Sequence, residues 1–193
     1  MSIKLPTYDG MIVPYQLMGN PLEVRAPKTA LSRTAFAAAH VVSDPLKERS
    51  PWDTRPAIDW DATLNFRTYL WDQGLGLAEA MDTAQRGMGV DWLSAKELIA
   101  RTMRAAKVHP MKPRVACGAG TDHLALADLR DADAIIAAYE AQMAAIEAAG
   151  GQIIIMASRA FTSINASEDL YREVYRRLID QAREPVILHW LGD

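Results

Sequence analysis

The pattern of apolar and polar positions changes character several times along the chain. In residues 1–20, Ile3 and Leu5 precede the tight-turn pair Asp9 and Gly10, and Ile12, Val13 and Tyr15 follow it, which predicts a small hairpin. Pro6 and Pro14 cannot donate to a ladder, so both strands are expected at an edge, or short. Residues 21–31 read as an irregular connector. Residues 34–42, T-A-F-A-A-A-H-V-V, form a continuous apolar run closed by Ser43, Asp44 and Pro45. Its length predicts a buried strand rather than a helix. Pro45, Pro51 and Pro56 then hold the chain in a loop as far as Ile58.

From Asp59 the period becomes helical. Asp59 is a capping residue, Trp60, Leu64 and Trp71 fall on one face, and Gly74 ends the helix. A strand follows within residues 74–87. Ser94 and Glu97 have capping-box spacing for a helix to about residue 106, with Leu98, Ile99, Thr102 and Met103 inward. Residues 114–120 predict another buried strand. An alanine-rich helix over residues 131–149 turns Ile135, Ile136, Tyr139, Met143 and Ile146 inward and stops at Gly150 and Gly151. Residues 153–156 are a strand, Asn165 with Glu168 caps a helix to about residue 183, and residues 185–190 are the last strand. Strand and helix thus alternate as in βαβ units, which implies a parallel sheet with right-handed crossovers. The strands are apolar throughout, as when helices cover a sheet or a barrel is filled.

Composition narrows the class. With 193 residues, a net charge of −3 and half its residues hydrophobic, the chain has the profile of one soluble domain. The mildly acidic balance gives no electrostatic reason to expect nucleic acid or an anionic membrane surface. The single cysteine, Cys117, excludes an intramolecular disulfide and a Cys-rich zinc site, and reads as a small buried residue. No charged-then-apolar leader opens the sequence, and no apolar run approaches the roughly 18 residues of a membrane span. A cytoplasmic location is expected.

Polar chemistry concentrates in G-L-G-L-A-E-A-M-D-T-A-Q-R-G, residues 74–87, where a strand gives way to Asp82, Thr83, Gln85 and Arg86. Loops at the carboxyl ends of parallel strands are where α/β folds meet ligands. Neither G-x-G-x-x-G nor G-x-x-x-x-G-K-S/T occurs. A complete eight-unit barrel takes about 250 residues, so five strands imply either a short open sheet or the first half of a barrel.

The words D-W-D-A-T-L, D-T-A-Q-R-G, V-A-C-G-A-G-T-D and P-V-I-L-H-W decide between them. From Ile58 onward the chain resembles the first five strands of the dihydrodipicolinate synthase and N-acetylneuraminate lyase family. A-E-A-M-D-T-A-Q-R-G-M-G and P-V-I-L-H-W-L-G resemble an uncharacterised bacterial branch of it, hairpin included. The fold implied is α/β, a (β/α)8 TIM-barrel type, of which residues 32–193 supply about five strands and four helices, preceded by the hairpin and connector of residues 1–31. The activity implied is that of a class I aldolase or lyase acting on a small keto acid or sugar-derived acid through a Schiff-base lysine. That lysine lies on the family's sixth strand and has no counterpart here. Lys4, Lys28, Lys47, Lys96, Lys107 and Lys112 all fall in expected loops or helices.

The resemblance also assigns residues. Thr83 matches the first threonine of the family's G-T-T-G-E loop, which binds the keto-acid carboxylate and relays protons. Ala84, Gln85 and Arg86 replace the rest, leaving carboxylate binding to Arg86 or Gln85. The family's tyrosine falls near Ser158 and Arg159, where no tyrosine stands. Arg159 can grip a carboxylate or phosphate with two prongs, or pair with a rim acid. His40, His123 and His189 all fall near carboxyl ends of expected strands, and His189 stands where relatives carry a site-lining aromatic residue. It suits a general acid or base near neutral pH. The expected catalytic groups are therefore His189, Thr83 and Asp82, with Arg86, Gln85, Ser158, Arg159, His40 and Asp122 on the substrate. No cofactor is needed in this reading. An alternative is a metal-dependent isomerase or aldolase holding a divalent ion through His189, Glu79 and Asp82, although no H-x-H or H-E-x-x-H spacing occurs. Glu79 would otherwise need a partner in the strand interior, and Asp193 adds one more carboxylate. A third reading is a non-catalytic half-barrel whose open edges drive dimerisation. The expected partners are a small-molecule acid and further copies of the chain in a homo-oligomer, with no nucleic acid and no membrane.

Overall fold

The computed structural model describes residues 2–20, 32–48, 50, 52–53, 55–82 and 85–190. Strands β1 (Ser2–Pro6) and β2 (Ile12–Gln16) form an antiparallel hairpin, with Ser2 opposite Gln16 and Pro6 opposite Ile12. Gly10 sits in the turn at φ 79°, a left-handed value that glycine adopts without strain. Every residue of both strands is exposed, as expected of edges. The expected connector over residues 21–31 lies outside the described residues.

The remaining chain alternates as β3 (Phe36–Ala38), α1 (Trp60–Asp72), β4 (Gly76–Glu79), α2 (Trp92–Val108), β5 (Val115–Ala119), α3 (Ala132–Ala149), β6 (Gln152–Met156), α4 (Arg159–Ser163), α5 (Glu168–Gln181) and β7 (Ile187–His189). The sheet order is β3-β4-β5-β6-β7, every pairing parallel. The strands curl as half of a TIM barrel, with helices on the outer face. The one-turn helix α4 is additional to the four that periodicity predicts.

Side chains divide by strand parity. Leu77, Cys117, Ile153 and Ile155 point outward into a core shared with Ile99 of α2, Ile135, Ile136 and Ile146 of α3, and Val174 and Leu178 of α5. Each such fully buried aliphatic contributes about 1.5–3 kcal/mol. The inner face is smaller: Ala78, Met81, Ala116, Ile154 and Met156, flanked by Phe36 and Ile187. All five residues expected inside α3 are buried, and Gly150 ends that helix at φ 84°.

Several expectations are corrected. The strand expected over residues 34–42 pairs only over Phe36–Ala38. Beyond it, the carbonyls of Ala39 and His40 are taken by the side chains of Arg67 and Gln85, so they cannot continue a ladder. The inner face of α1 is Thr63, Arg67 and Trp71, not Trp60, Leu64 and Trp71. Trp60 instead lies under the Arg101 guanidinium, 4.4 Å from its ring centroid. Helix α2 is capped by Asp91, whose carboxylate accepts from Ser94 N, so Ser94 belongs to the first turn. Glu97 pairs with Arg101 one turn on. Helix α5 is capped by Ser167, while Asn165 holds a left-handed φ of 49° in the preceding turn. Among the described residues, no helix is long and apolar enough to cross a membrane.

Candidate functional site

Parallel pairing brings the ends of successive strands to one rim, and a cleft of about 710 Å³ opens there. Asp82 reaches it from the loop after β4, Thr121 and Asp122 from the loop after β5, Ser158 and Arg159 from the end of β6, and Trp190 from the end of β7. Close packing of β4 against β5 shapes its floor. Ala80 leaves β4 at a positive φ of 55° and directs its carbonyl at Gly118. A Cβ on Gly118 would stand 2.7 Å from that oxygen and 2.7 Å from Met156 Sδ, which explains the glycine inside a buried strand.

One side of the cleft is a network around Arg86. Its Nε donates to Asp122 Oδ2 at 2.8 Å and Nη2 donates to Oδ1. Nη1 donates to the Gly118 carbonyl at 3.0 Å, and Nη2 also donates to Gln142 Oε1 at 2.7 Å. The guanidinium lies 5.1 Å from the Trp92 ring centroid. Among the described residues these four bonds take four of its five N–H donors. Burial pulls its pKa down, and Asp122 opposes that. Arg86 therefore closes the rim as half of an ion pair rather than waiting for a substrate. Gln142 of α3 ties the network together: its Oε1 also accepts from Gly120 N, and its Nε2 reaches Asp122 and, at 2.9 Å, His123 Nδ1. Burial lowers the His123 pKa, and Arg86 lowers it further against Asp122. The neutral imidazole suits an acceptor at Nδ1.

Two expected site residues belong to the interior instead. Gln85 is fully buried; its Oε1 accepts from Met81 N at 2.7 Å, and its Nε2 donates to Glu79 and to the Ala39 carbonyl. It shapes the loop, and its full burial keeps it from a substrate in the cleft. Glu79, also fully buried, takes both prongs of Arg67 at 3.0 Å, Thr102 Oγ1 at 2.7 Å and Ala80 N at 3.1 Å. It points toward the helices, away from the rim, so a metal held by His189, Glu79 and Asp82 is not assembled. Among the described residues, no group of three or more His, Cys, Asp and Glu is placed to hold a metal ion. His40 is exposed and does not line the cleft: β3 stops at Ala38 and Arg67 holds the His40 carbonyl. Thr83 and Asp193 lie outside the described residues. Cys117 is buried, and burial raises its thiol pKa well above the usual value.

His189 faces Met156 across the β6–β7 ladder and lines a hollow of about 320 Å³ on the inner face with Phe36, Ala78 and Ile187. Its Nδ1 is buried and has no hydrogen-bond partner among the described residues, 3.9 Å from Asp82 Oδ2. Asp82 lines both hollow and cleft, so the two cavities share a carboxylate.

Ser158 was expected here, whereas the hydroxyls of Thr121, Tyr139 and Tyr175 were the part not legible beforehand. Thr121 Oγ1 and Ser158 Oγ are 2.6 Å apart, and Ser158 also accepts from Ala160 N. The Tyr139 hydroxyl donates to the Met156 carbonyl. Burial first, then Tyr175, raises its pKa; burial likewise raises that of Tyr175, so both stay protonated. Tyr139 looked like one more apolar position of α3, and only the i, i+4 spacing of Tyr171 and Tyr175 hinted at a tyrosine face.

A solved structure described as a monomeric dihydrodipicolinate synthase variant is similar to this chain with a TM-score of 0.53 and 13% sequence identity. The match covers 79% of this chain and 43% of that one, so the matched part spans less than half of that chain's length. At that identity the likeness establishes the fold. No curated protein matches the chain. A family model described as "Protein of unknown function (DUF993)" matches residues 3–193, and the chain belongs to that family.

Proposed function

We propose that this family is a branch of the dihydrodipicolinate-synthase-type barrels and that the protein is a class I aldolase or lyase acting on a small keto acid or sugar-derived acid. The observation that carries this reading is the convergence on one cleft of polar exits from three consecutive parallel strands, β4, β5 and β6, with Trp190 from the end of β7 beside them. Arg159 is exposed at the cleft wall and is the cation best suited to a substrate carboxylate, with Ser158 and Thr121 beside it. Arg86 and Asp122 act one step back, holding the wall. Asp82 and His189 form the pair that moves a proton: at 3.9 Å they are within ion-pair range, and catalytic contacts commonly tighten only when substrate binds. Thr83, next to Asp82 in sequence, completes the expected catalytic set. The Schiff-base lysine comes from a strand following residue 193.

Mass spectrometry after borohydride reduction, using a chain extended past residue 193 and a series of keto acids beginning with pyruvate, tests this. A mass increment on one lysine is expected; no adduct with any keto acid refutes the proposal. A second reading is a half-barrel that associates through its edges, supported by the open apolar hollow at Phe36, Met81, Ile154 and Ile187. Light scattering decides it, since a monomer at all concentrations rules association out.

A further inference from the structure

The cleft has a second half that the proposed chemistry leaves unused. Phe161, 1% exposed, holds Tyr171 and Tyr175 of α5 nearly parallel to its own ring, with centroids at 4.2 and 5.9 Å and interplanar angles of 18° and 14°. Trp190 leans over both tyrosines at 5.9 and 6.1 Å, tilted by 49° and 44°, and remains 69% exposed. Both tyrosines and Trp190 line the cleft. Because β6 lies between β5 and β7, the loop after β5, which brings the exposed side chains of Leu124 and Leu126 to the same cleft, faces this aromatic wall across the end of β6. A volume of about 710 Å³ falls in the range of roughly 300–1,000 Å³ that much larger ligands than a three-carbon acid fill.

We infer that this half of the cleft is a ring-binding subsite and that the substrate acid carries a flat aromatic ring. The ring enters between Trp190 with Tyr171 on one side and the two leucines on the other, while the carboxylate reaches Arg159. Leucines offer no partner for the hydroxyls of a sugar ring, whereas an aryl ring needs none and gains from offset or edge-to-face contact with the aromatic wall. The inference rests on the reading of the cleft as an acid-binding site.

Calorimetry and ligand-observed NMR on the full 193-residue chain, with phenylpyruvate, pyruvate and phenylacetone as probes, separate the two ideas. Phenylpyruvate is expected to bind about tenfold more tightly than pyruvate, the gain from burying and stacking one ring. Trp190→Ala erases that difference, and Trp190→Phe keeps most of it; the residue is exposed enough that neither change opens the core. If phenylpyruvate binds no better than pyruvate, or its advantage survives Trp190→Ala, the ring subsite is wrong and the acid site stands. If phenylacetone, which lacks the carboxylate, matches phenylpyruvate, the ring subsite stands and the acid reading falls. Binding by none of the three overturns both.

Discussion

Replacing Arg67 by Met tests the buried network that carries β4 to the rim. Arg67 and Glu79 are both fully buried, and Arg67 makes two bonds to the carboxylate and three to the carbonyls of His40, Thr63 and Ala39. Methionine fills much of the stem volume but leaves the Glu79 carboxyl without its cation, with Thr102, Gln85 and Ala80 N as its remaining donors among the described residues. It also removes one donor each from the carbonyls of His40, Thr63 and Ala39, of which Ala39 keeps Gln85 Nε2. Removing one member of a buried ion pair costs about 3–5 kcal/mol. With a urea slope of roughly 2 kcal/mol per molar, the unfolding midpoint falls by about 1.5–2.5 M at unchanged slope. Glu79→Gln should cost a similar amount by leaving the guanidinium facing only neutral groups. The double substitution should cost clearly less than the sum, because neither charge then remains buried alone. Equilibrium urea unfolding of the three variants, followed by circular dichroism, measures this. An Arg67→Met loss under about 1 kcal/mol, or strict additivity in the double variant, would refute the claim that this pair holds β3, α1, α2 and the β4 exit together.

Three further outcomes follow from the same geometry. Gly118→Ala forces a methyl group against the Ala80 carbonyl and Met156 Sδ and should lose about 1–3 kcal/mol, read as a lower melting temperature. The folded state resists protonating His123, whereas the unfolded chain takes up the proton near pH 6.5, so the unfolded state binds more protons as pH falls. The contribution of His123 is thus intact above about pH 6.5 and is lost progressively below it; His123→Gln should flatten that part of a melting-temperature profile. Arg159→Gln should weaken keto-acid binding by about threefold to tenfold and reduce its salt dependence, the modest size expected of a solvent-screened contact; an unchanged affinity removes Arg159 from the site.

The order of elements could be read from the chain because it follows from local rules. The alanine-rich helix α3, with its Asp131 cap, its inward stripe and its terminating Gly150, depends on residues within a few turns of one another. The hairpin turn at Asp9 and Gly10 and the apolar runs of β5 and β6 are equally local. Where two caps competed within one turn, as Asp91 with Ser94 and Asn165 with Ser167, the pattern alone chose the wrong residue, because each side chain is of a type that can cap a first turn and only the start of the helix decides between them.

The site depended on distant pairings. That Glu79 needed a partner was legible from its place in a buried strand; that the partner is Arg67 of α1, and that the same contact removes Glu79 from any metal site, required the helix to be docked. Arg86 looked like a substrate cation until Asp122 and Gln142, 36 and 56 residues away, were brought against it. Tyr139, Tyr171 and Tyr175 gained a role only when α3 and α5 converged on the end of β6. Periodicity reports which face of an element is buried. Which charges and hydroxyls meet inside is decided by the crossing of elements far apart in sequence, where each buried polar group must find the partner that water no longer supplies.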